Sequence, residues 1–188
     1  MRRAAAAVVG ATVLAVALAG CGSSTPKTSA GATATTRPVT TAKPAPVPKP
    51  RGRTVLRMDG AVNGLNVGRS VAFDRPTLDA MATSTATIFE PFVKHYIRFT
   101  GIPISDLLSR AGVAPTASTV HMHALDDYKV DFKLADLMVP GVLLATKADG
   151  TTIPTGKGGP IRLVFPPDSA AGRNKDVWIW SIDSMTIR

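Results

Sequence analysis

The spacing of hydrophobic and polar residues changes several times along the chain and predicts many short strands with a few short helices. Alternating apolar and polar residues predict strands, whereas apolar residues three and four positions apart predict helices. The predicted strands cover 54–60, 70–73, 95–101, 119–125, 128–132, 142–147, 161–165 and 177–187. Because strands and helices do not alternate regularly, the pattern predicts an α+β fold, mostly strands with a few short helices.

Three helical segments are predicted, and 103–112 has the clearest pattern. Pro103 begins it and Gly112 ends it, as is typical of helix termini. One face is apolar and consists of Ile104, Leu107, Leu108 and Ala111. In the second segment, 74–81, Asp74 is the expected N-cap and Pro76 lies in the first turn. The third segment, 133–138, is long enough for only one or two turns.

The N-terminus has the layout of an export signal. Arg2 and Arg3 precede an uncharged, mostly apolar run, Ala4–Gly20, as in secretory signal peptides. The run ends in Leu18-Ala19-Gly20-Cys21, which resembles the lipobox of bacterial lipoproteins, whose cysteine is lipidated and begins the mature chain. An uncleaved anchor or an ordinary secretory signal remains an alternative, and the two arginines also resemble a twin-arginine signal. We predict a signal peptide at 1–20, lipidation of Cys21, and an extracytoplasmic protein anchored to the lipid of a bacterial cell membrane.

Residues 22–53 differ in composition from the rest of the chain. They are rich in Thr, Ala, Pro and Ser, contain six basic and no acidic residues, and have almost no large apolar side chains. Such a segment buries too little surface to offset its ordering entropy, so a disordered tether is predicted for 21–53 and a single domain for 54–188.

Most of the chain's excess positive charge lies outside this domain. The net charge is +9, but Thr54–Arg188 holds 14 basic and 13 acidic residues. A nearly neutral domain gives no reason to expect nucleic acid as a partner. The basic tether instead suits the anionic surface of a membrane.

Four segments of the domain resemble one known family. They are FTGIPISDLLSRAGV (99–113), ALDDYKVDF (124–132), LLATKADGTTIPTGKGGPIRLVFP (143–166) and KDVWIWSIDSMTI (175–187). Their order and spacing are similar to those of sulfite-oxidase-type molybdopterin-binding domains, which are oxidoreductases. The resemblance implies that family's fold and molybdopterin as a cofactor. It also implies a ligand-binding cleft near Asp127, Tyr128, Lys157, Gly158, Gly159, Arg162 and Lys175.

The departures from the family pattern bear on function. In active members a cysteine thiolate upstream of the aromatic-x-Gly-x-Pro segment binds molybdenum, whereas the corresponding stretch here, Ala86–Ile97, has no cysteine. Lys157 replaces the histidine before Gly-Gly-Pro, and Asp127 replaces the glycine of Asp-Gly-Tyr. Cys21, the only cysteine of the chain, lies more than 60 residues upstream on the predicted tether. We therefore expect no bound molybdenum and assign no catalytic residue.

Other candidate sites have ordinary structural explanations. His121 and His123 lie two apart on a predicted strand, so they share a face and form a weak candidate metal site, for which His95, Asp126 or Asp127 would have to supply a third ligand. The TGKGGP loop is either an anion-binding loop or a turn that needs unusual backbone angles. Trp178 and Trp180 are explained by core packing or by the wall of a cleft.

Two main functions are compatible with these observations. The first is a lipoprotein whose domain binds a small anionic or polar ligand, or a membrane protein, without redox chemistry. The second is a molybdopterin-dependent oxidoreductase that uses a non-cysteine metal ligand, for which Glu90 and His95 are the nearest candidates. A purely structural subunit of a membrane complex is a weaker third. The missing cysteine favours the first.

Overall fold

Ten strands form two β-sheets in the part of the chain that the structure, a computed structural model, describes, residues 45–188. The strands are β1 (Thr54–Gly60), β2 (Val71–Asp74), β3 (Ser84–Glu90), β4 (His95–Pro103), β5 (Thr119–Ala124), β6 (Lys129–Lys133), β7 (Leu143–Ala148), β8 (Thr151–Thr152), β9 (Arg162–Val164) and β10 (Ile182–Ile187). The helices are α1 (Arg75–Met81), α2 (Ile104–Ala111), α3 (Leu134–Leu137) and α4 (Ala170–Arg173), with short 3₁₀ helices at Thr155–Lys157 and Lys175–Val177. This content confirms the predicted α+β class.

The sheets are built mainly from antiparallel pairs. The first sheet has the order β2-β1-β10-β5-β6, and the second has the order β3-β4-β7-β8 with β9 also paired to β7. The exception is β1, which runs parallel to β10 and places Arg57 opposite Ser184. This pairing joins the beginning and the end of the domain in the middle of one sheet.

Apolar side chains from both sheets meet in one core. Met58 of β1 and Met122 of β5 are fully buried in the first sheet, and Phe99 of β4 and Leu144 of β7 are buried in the second. Along β5, buried residues alternate with partly exposed ones, which is the period of a strand with one face toward the core.

The predicted helix termini are confirmed. Helix α2 buries its apolar face, and Gly112 ends it in the left-handed conformation with φ of 67°. Asp74 caps α1, because its Oδ1 accepts a hydrogen bond of 3.1 Å from the backbone N–H of Thr77. These local signals act within a few residues, so the sequence is sufficient to identify them.

The strand predictions differ most from the structure in two places, apart from the two-residue β8, which was not predicted. No strand was expected at 84–90, yet β3 lies there and pairs with β4 along its whole length. The predicted strand 177–187 is shorter, since only Ile182–Ile187 is extended strand. Ser181 adopts a positive φ of 50°, which breaks the extended chain just before β10.

The segment before β1 packs against the domain, although it was expected to be disordered up to Arg53. Val47 is only 5% exposed and joins the core. The carboxylate of Asp74 accepts the backbone N–H groups of Arg51 and Gly52, and the side-chain amide of Asn66 donates to the carbonyl of Pro48. A buried valine and three hydrogen bonds thus connect this polar, proline-rich segment to the domain.

The predicted signal peptide, Cys21 and the greater part of the tether lie outside the described residues, so they remain predictions. Within residues 45–188, no helix has the length and apolar character that crossing a membrane requires.

Candidate functional site

A buried ion pair lies at the end of β3, in the stretch where the resemblance places a metal-binding cysteine. Glu90 is fully buried, and its Oε1 accepts a 2.8 Å hydrogen bond from an Nη2 of Arg162 on β9. Its Oε2 accepts the backbone N–H groups of Phe92 at 2.9 Å and Val93 at 2.7 Å. Both carboxylate oxygens therefore already have protein partners, and neither is directed to an open site.

Aromatic rings enclose the arginine of this pair. The guanidinium carbon of Arg162 lies 4.2 Å from the ring centroid of Trp180 and 5.5 Å from that of Phe99. Arg162 is 4% exposed. Burial lowers the pKa of its guanidinium, and the hydrogen bond and charge of Glu90 oppose that lowering. Such cation–π contacts and the ion pair compensate part of the cost of burying the charge.

The TGKGGP loop closes over the same tryptophan. A Cβ added to Gly158 would lie 3.0 Å from the Trp180 ring, and one added to Gly159 would lie 1.9 Å from the carbonyl oxygen of Ile153. Gly158 also has a positive φ of 85°. Close packing thus explains both glycines without a ligand. Lys157, in contrast, is exposed to solvent.

The β5–β6 turn holds a second group of predicted residues. Asp127 has a positive φ of 66° and its carboxylate is 3.2 Å from Nε2 of His123. The hydroxyl of Tyr128 donates to the backbone carbonyl of Asp176. This contact brings the turn next to the short helix that contains Lys175, which is exposed.

The two histidines of β5 share a face, as predicted, but each is paired with carboxylates. Nδ1 of His121 lies 2.8 Å from Asp131, and Nδ1 of His123 lies 2.9 Å from Asp183. The hydrogen bond and charge of Asp183 raise the pKa of His123 against the opposing effect of burial. Among the described residues, no group of three or more His, Cys, Asp or Glu side chains has the geometry of a metal site.

The predicted site residues therefore form two groups rather than one cleft. Gly158 and Arg162 contact Trp180, and Lys157 and Gly159 adjoin Gly158 in the same loop. Asp127 and Tyr128 belong to the β5–β6 turn, and Lys175 precedes Asp176, whose carbonyl Tyr128 contacts. The backbone of Ser181 connects the groups, because its N–H donates to Gly158 and its carbonyl accepts from Leu125, both at 3.0 Å.

A cavity of about 560 Å³ lies beside this connection. It is lined by Arg53, Thr54, Val55, Arg57, Leu125, Thr155, Pro160, Asp183 and Ser184. Sequence reasoning missed its two arginines and Asp183. The cavity depends on the parallel pairing of β1 with β10, for which no local sequence signal exists.

The comparisons with known proteins agree with the observed fold. The family model of the oxidoreductase molybdopterin binding domain matches residues 77–186. The crystal structure of the sulfane dehydrogenase SoxCD from Paracoccus pantotrophus is similar with a TM-score of 0.56 and 21% sequence identity, over 70% of this chain and 37% of that chain. The chain thus spans little more than a third of that relative, and the similarity shows the fold. No curated protein sequence matches the chain. Since the family model covers more than half of the sequence, the chain belongs to the oxidoreductase molybdopterin binding domain family.

Proposed function

We propose that this chain is an extracytoplasmic lipoprotein whose molybdopterin-binding-type domain binds a ligand or partner and carries out no redox chemistry. The observation that carries the proposal is the Glu90–Arg162 pair. It lies at the end of β3, in the stretch where the family resemblance calls for a thiolate. Both oxygens of the only carboxylate there have partners, since Oε1 accepts from Arg162 and Oε2 accepts from the N–H groups of Phe92 and Val93.

The donor set does not fit a molybdenum centre. Soft thiolates are the ligands through which proteins tune such metals, and the chain has none after Cys21. His95 is exposed, and its Nδ1 is 3.2 Å from the carbonyl oxygen of Val93. Releasing Glu90 to serve as a ligand would leave the Arg162 guanidinium buried without its counter-ion, at a cost of several kcal/mol.

The exposed arginines support an anionic or polar ligand, but at a different place from the cleft that the sequence analysis expected. Arg162 was expected to face a ligand together with Lys157, but Glu90 and Trp180 enclose it. Arg53 and Arg57 instead line the cavity beside β10. Within residues 45–188 neither forms an ion pair, although Arg57 donates a hydrogen bond of 3.1 Å to Ser70 and Asp183 lines the same cavity. The remaining guanidinium donors suit carboxylate, sulfate or phosphate groups.

Elemental analysis tests the proposal. The protein is purified from the envelope of a bacterium that makes molybdopterin and exports the chain in its natural form. We expect molybdenum far below stoichiometric amounts and no pterin released on denaturation. Near-stoichiometric molybdenum would support the alternative, an oxidoreductase with a non-cysteine ligand, and Glu90→Gln and His95→Gln would then identify that ligand.

A further inference from the structure

The β3–β4 hairpin ends in an exposed apolar surface. Its tip, which we define as residues 89–96, carries four large apolar side chains that are 41% to 69% exposed: Phe89, Phe92, Val93 and Tyr96. A group of this size on one short turn is unusual for a soluble surface, and such surfaces commonly mark an interaction site.

These side chains project from both faces of the hairpin. Phe89 and Tyr96 are opposite each other in the β3–β4 pairing, and their ring centroids are 5.4 Å apart. Phe92 lies on the other face, edge-on to Trp180 at 5.1 Å. Val93, in the turn itself, is half exposed. A tip that is apolar on both faces suits insertion into an apolar medium better than docking through one face.

The ion pair behind the turn is hydrogen-bonded to the backbone of the turn. Glu90 accepts the N–H groups of Phe92 and Val93 through its carboxylate, and that of Lys94 through its backbone carbonyl at 2.8 Å. The ion pair with Arg162 holds this carboxylate in position. The exposed side chains are thus presented by an ordered backbone, which reduces the entropy lost on binding.

The charges around the tip are positive. Lys94 lies in the turn and Arg98 follows on β4, and neither forms an ion pair in the part of the chain that the structure describes. The acidic residue of the tip, Glu90, is buried against Arg162. Asp149 lies beside Arg98, farther from the turn, and accepts its backbone N–H. Aromatic side chains with neighbouring basic residues are typical of membrane interfaces, and anionic lipid attracts such cations.

From these observations we propose that the hairpin tip inserts into the interface of an anionic membrane, with Phe89, Phe92, Val93 and Tyr96 among the lipids and Lys94 at the headgroups. The inference rests on the membrane attachment in the proposed function. It adds a second contact that fixes the orientation of the domain, where a lipidated tether alone would leave it unconstrained.

Depth-dependent fluorescence quenching tests this orientation. The intact chain is reconstituted in vesicles of three parts phosphatidylcholine to one part phosphatidylglycerol, with an environment-sensitive dye on His95→Cys. Matched chains carry the dye on Leu65→Cys or Met138→Cys, whose native side chains are 49% and 48% exposed. The unsubstituted chain, treated with the dye, shows whether Cys21 is free, and flotation shows whether the chain is anchored.

We expect brominated lipid to quench the dye at position 95 several times more strongly than at 65 or 138. Val93→Ser with Tyr96→Ser should remove this difference while flotation persists. Lys94→Gln should weaken the contact about fivefold in anionic vesicles, because one basic residue near such a surface is worth about 1 kcal/mol. Circular dichroism verifies that each variant folds.

Equal quenching at the three positions would overturn the proposal. It would also be overturned if position 95 were shielded only in native membranes and not in protein-free vesicles, since the tip would then bind a protein. A chain that fails to float, or that takes up dye at Cys21, would contradict the lipid anchor instead.

Discussion

Two charged clusters of the domain differ in how far their side chains are exposed to water. At the end of β3, the Glu90 and Arg162 side chains are 0% and 4% exposed, and aromatic rings cover the cation. On β5, His123 contacts Asp183 and Asp127, and these three side chains are 27%, 37% and 90% exposed. Both clusters join segments that are more than 50 residues apart in sequence, yet only the first is shielded from water.

This difference determines what each cluster does. A buried pair cannot lose one partner without leaving an uncompensated charge, so its role is to hold the two segments together. A half-exposed pair gains little energy, exchanges protons with solvent and can respond to pH. The Glu90–Arg162 pair is therefore shielded within the fold, whereas Asp183 also lines a cavity.

The largest expected effect comes from breaking the buried pair. Arg162→Met should lower the free energy of unfolding by about 3–5 kcal/mol, because it leaves the Glu90 carboxylate buried without a cation. Urea unfolding followed by circular dichroism measures the change. The matched control is the partly exposed pair of Arg75 and Asp79, 2.9 Å apart on α1, where Asp79→Ala should cost about 0.5 kcal/mol or less.

Combining Arg162→Met with Glu90→Gln distinguishes the buried charge from lost packing. The glutamine amide would keep an oxygen for the N–H groups of the turn, so the double variant should be more stable than Arg162→Met alone. Additive losses would show that the pair acts through shape rather than charge.

A second buried carboxylate sharpens the comparison because it has no cation. Asp74 accepts hydrogen bonds from Thr77, Arg51 and Gly52. The Thr77 hydroxyl, followed by the Arg51 N–H, lowers the pKa of Asp74 to about 2. Since the folded pKa lies below the unfolded one, its contribution to stability is present above pH 4 and is lost as the pH falls toward 2.

Asp74→Ala should therefore cost about 1–2 kcal/mol at neutral pH, as loss of an N-cap does, and should expose the segment 45–53 to trypsin. Asp74→Asn keeps an acceptor for the cap, and its free energy of unfolding should change less as the pH falls from 4 to 2. Equal stability of the wild type and both variants from pH 2 to 7 would contradict this role of Asp74.

How much of this the sequence could predict depends on the range of each interaction. The cap at Asp74, the apolar face of α2 and the turn at Gly112 are local, and the sequence predicts all three correctly. The strand β3 was missed because Ser84–Glu90 alternates small polar and apolar residues, a weak signal that becomes clear only once β4 pairs with it.

The surroundings of the candidate site residues were harder to foresee than the fold. The sequence identified Arg162, but not that Glu90, 72 positions earlier, would enclose it. The glycines at 158 and 159 were noted as ligand candidates, and their need to pack against Trp180 and Ile153 could not be seen. These contacts depend on how the folded segments meet, about which one sequence carries no direct information.

The smallest expected effect is a dependence of stability on pH at the exposed cluster. Asp183 raises the pKa of His123 above its ordinary value of 6.5. A folded pKa above the unfolded one stabilises the protein below pH 6.5, and this stabilisation is lost as the pH rises through the folded pKa. The free energy of unfolding, measured in urea, should therefore be lower at pH 8 than at pH 6, by less than about 1 kcal/mol for a pair exposed to this degree. This decrease should disappear in His123→Gln. His121→Gln is the control, since its partner Asp131 is 74% exposed, and it should retain the decrease. If His121→Gln removed the decrease and His123→Gln did not, the pH dependence would come from His121 at the β5–β6 edge. The His123–Asp183 pair would then not be its source.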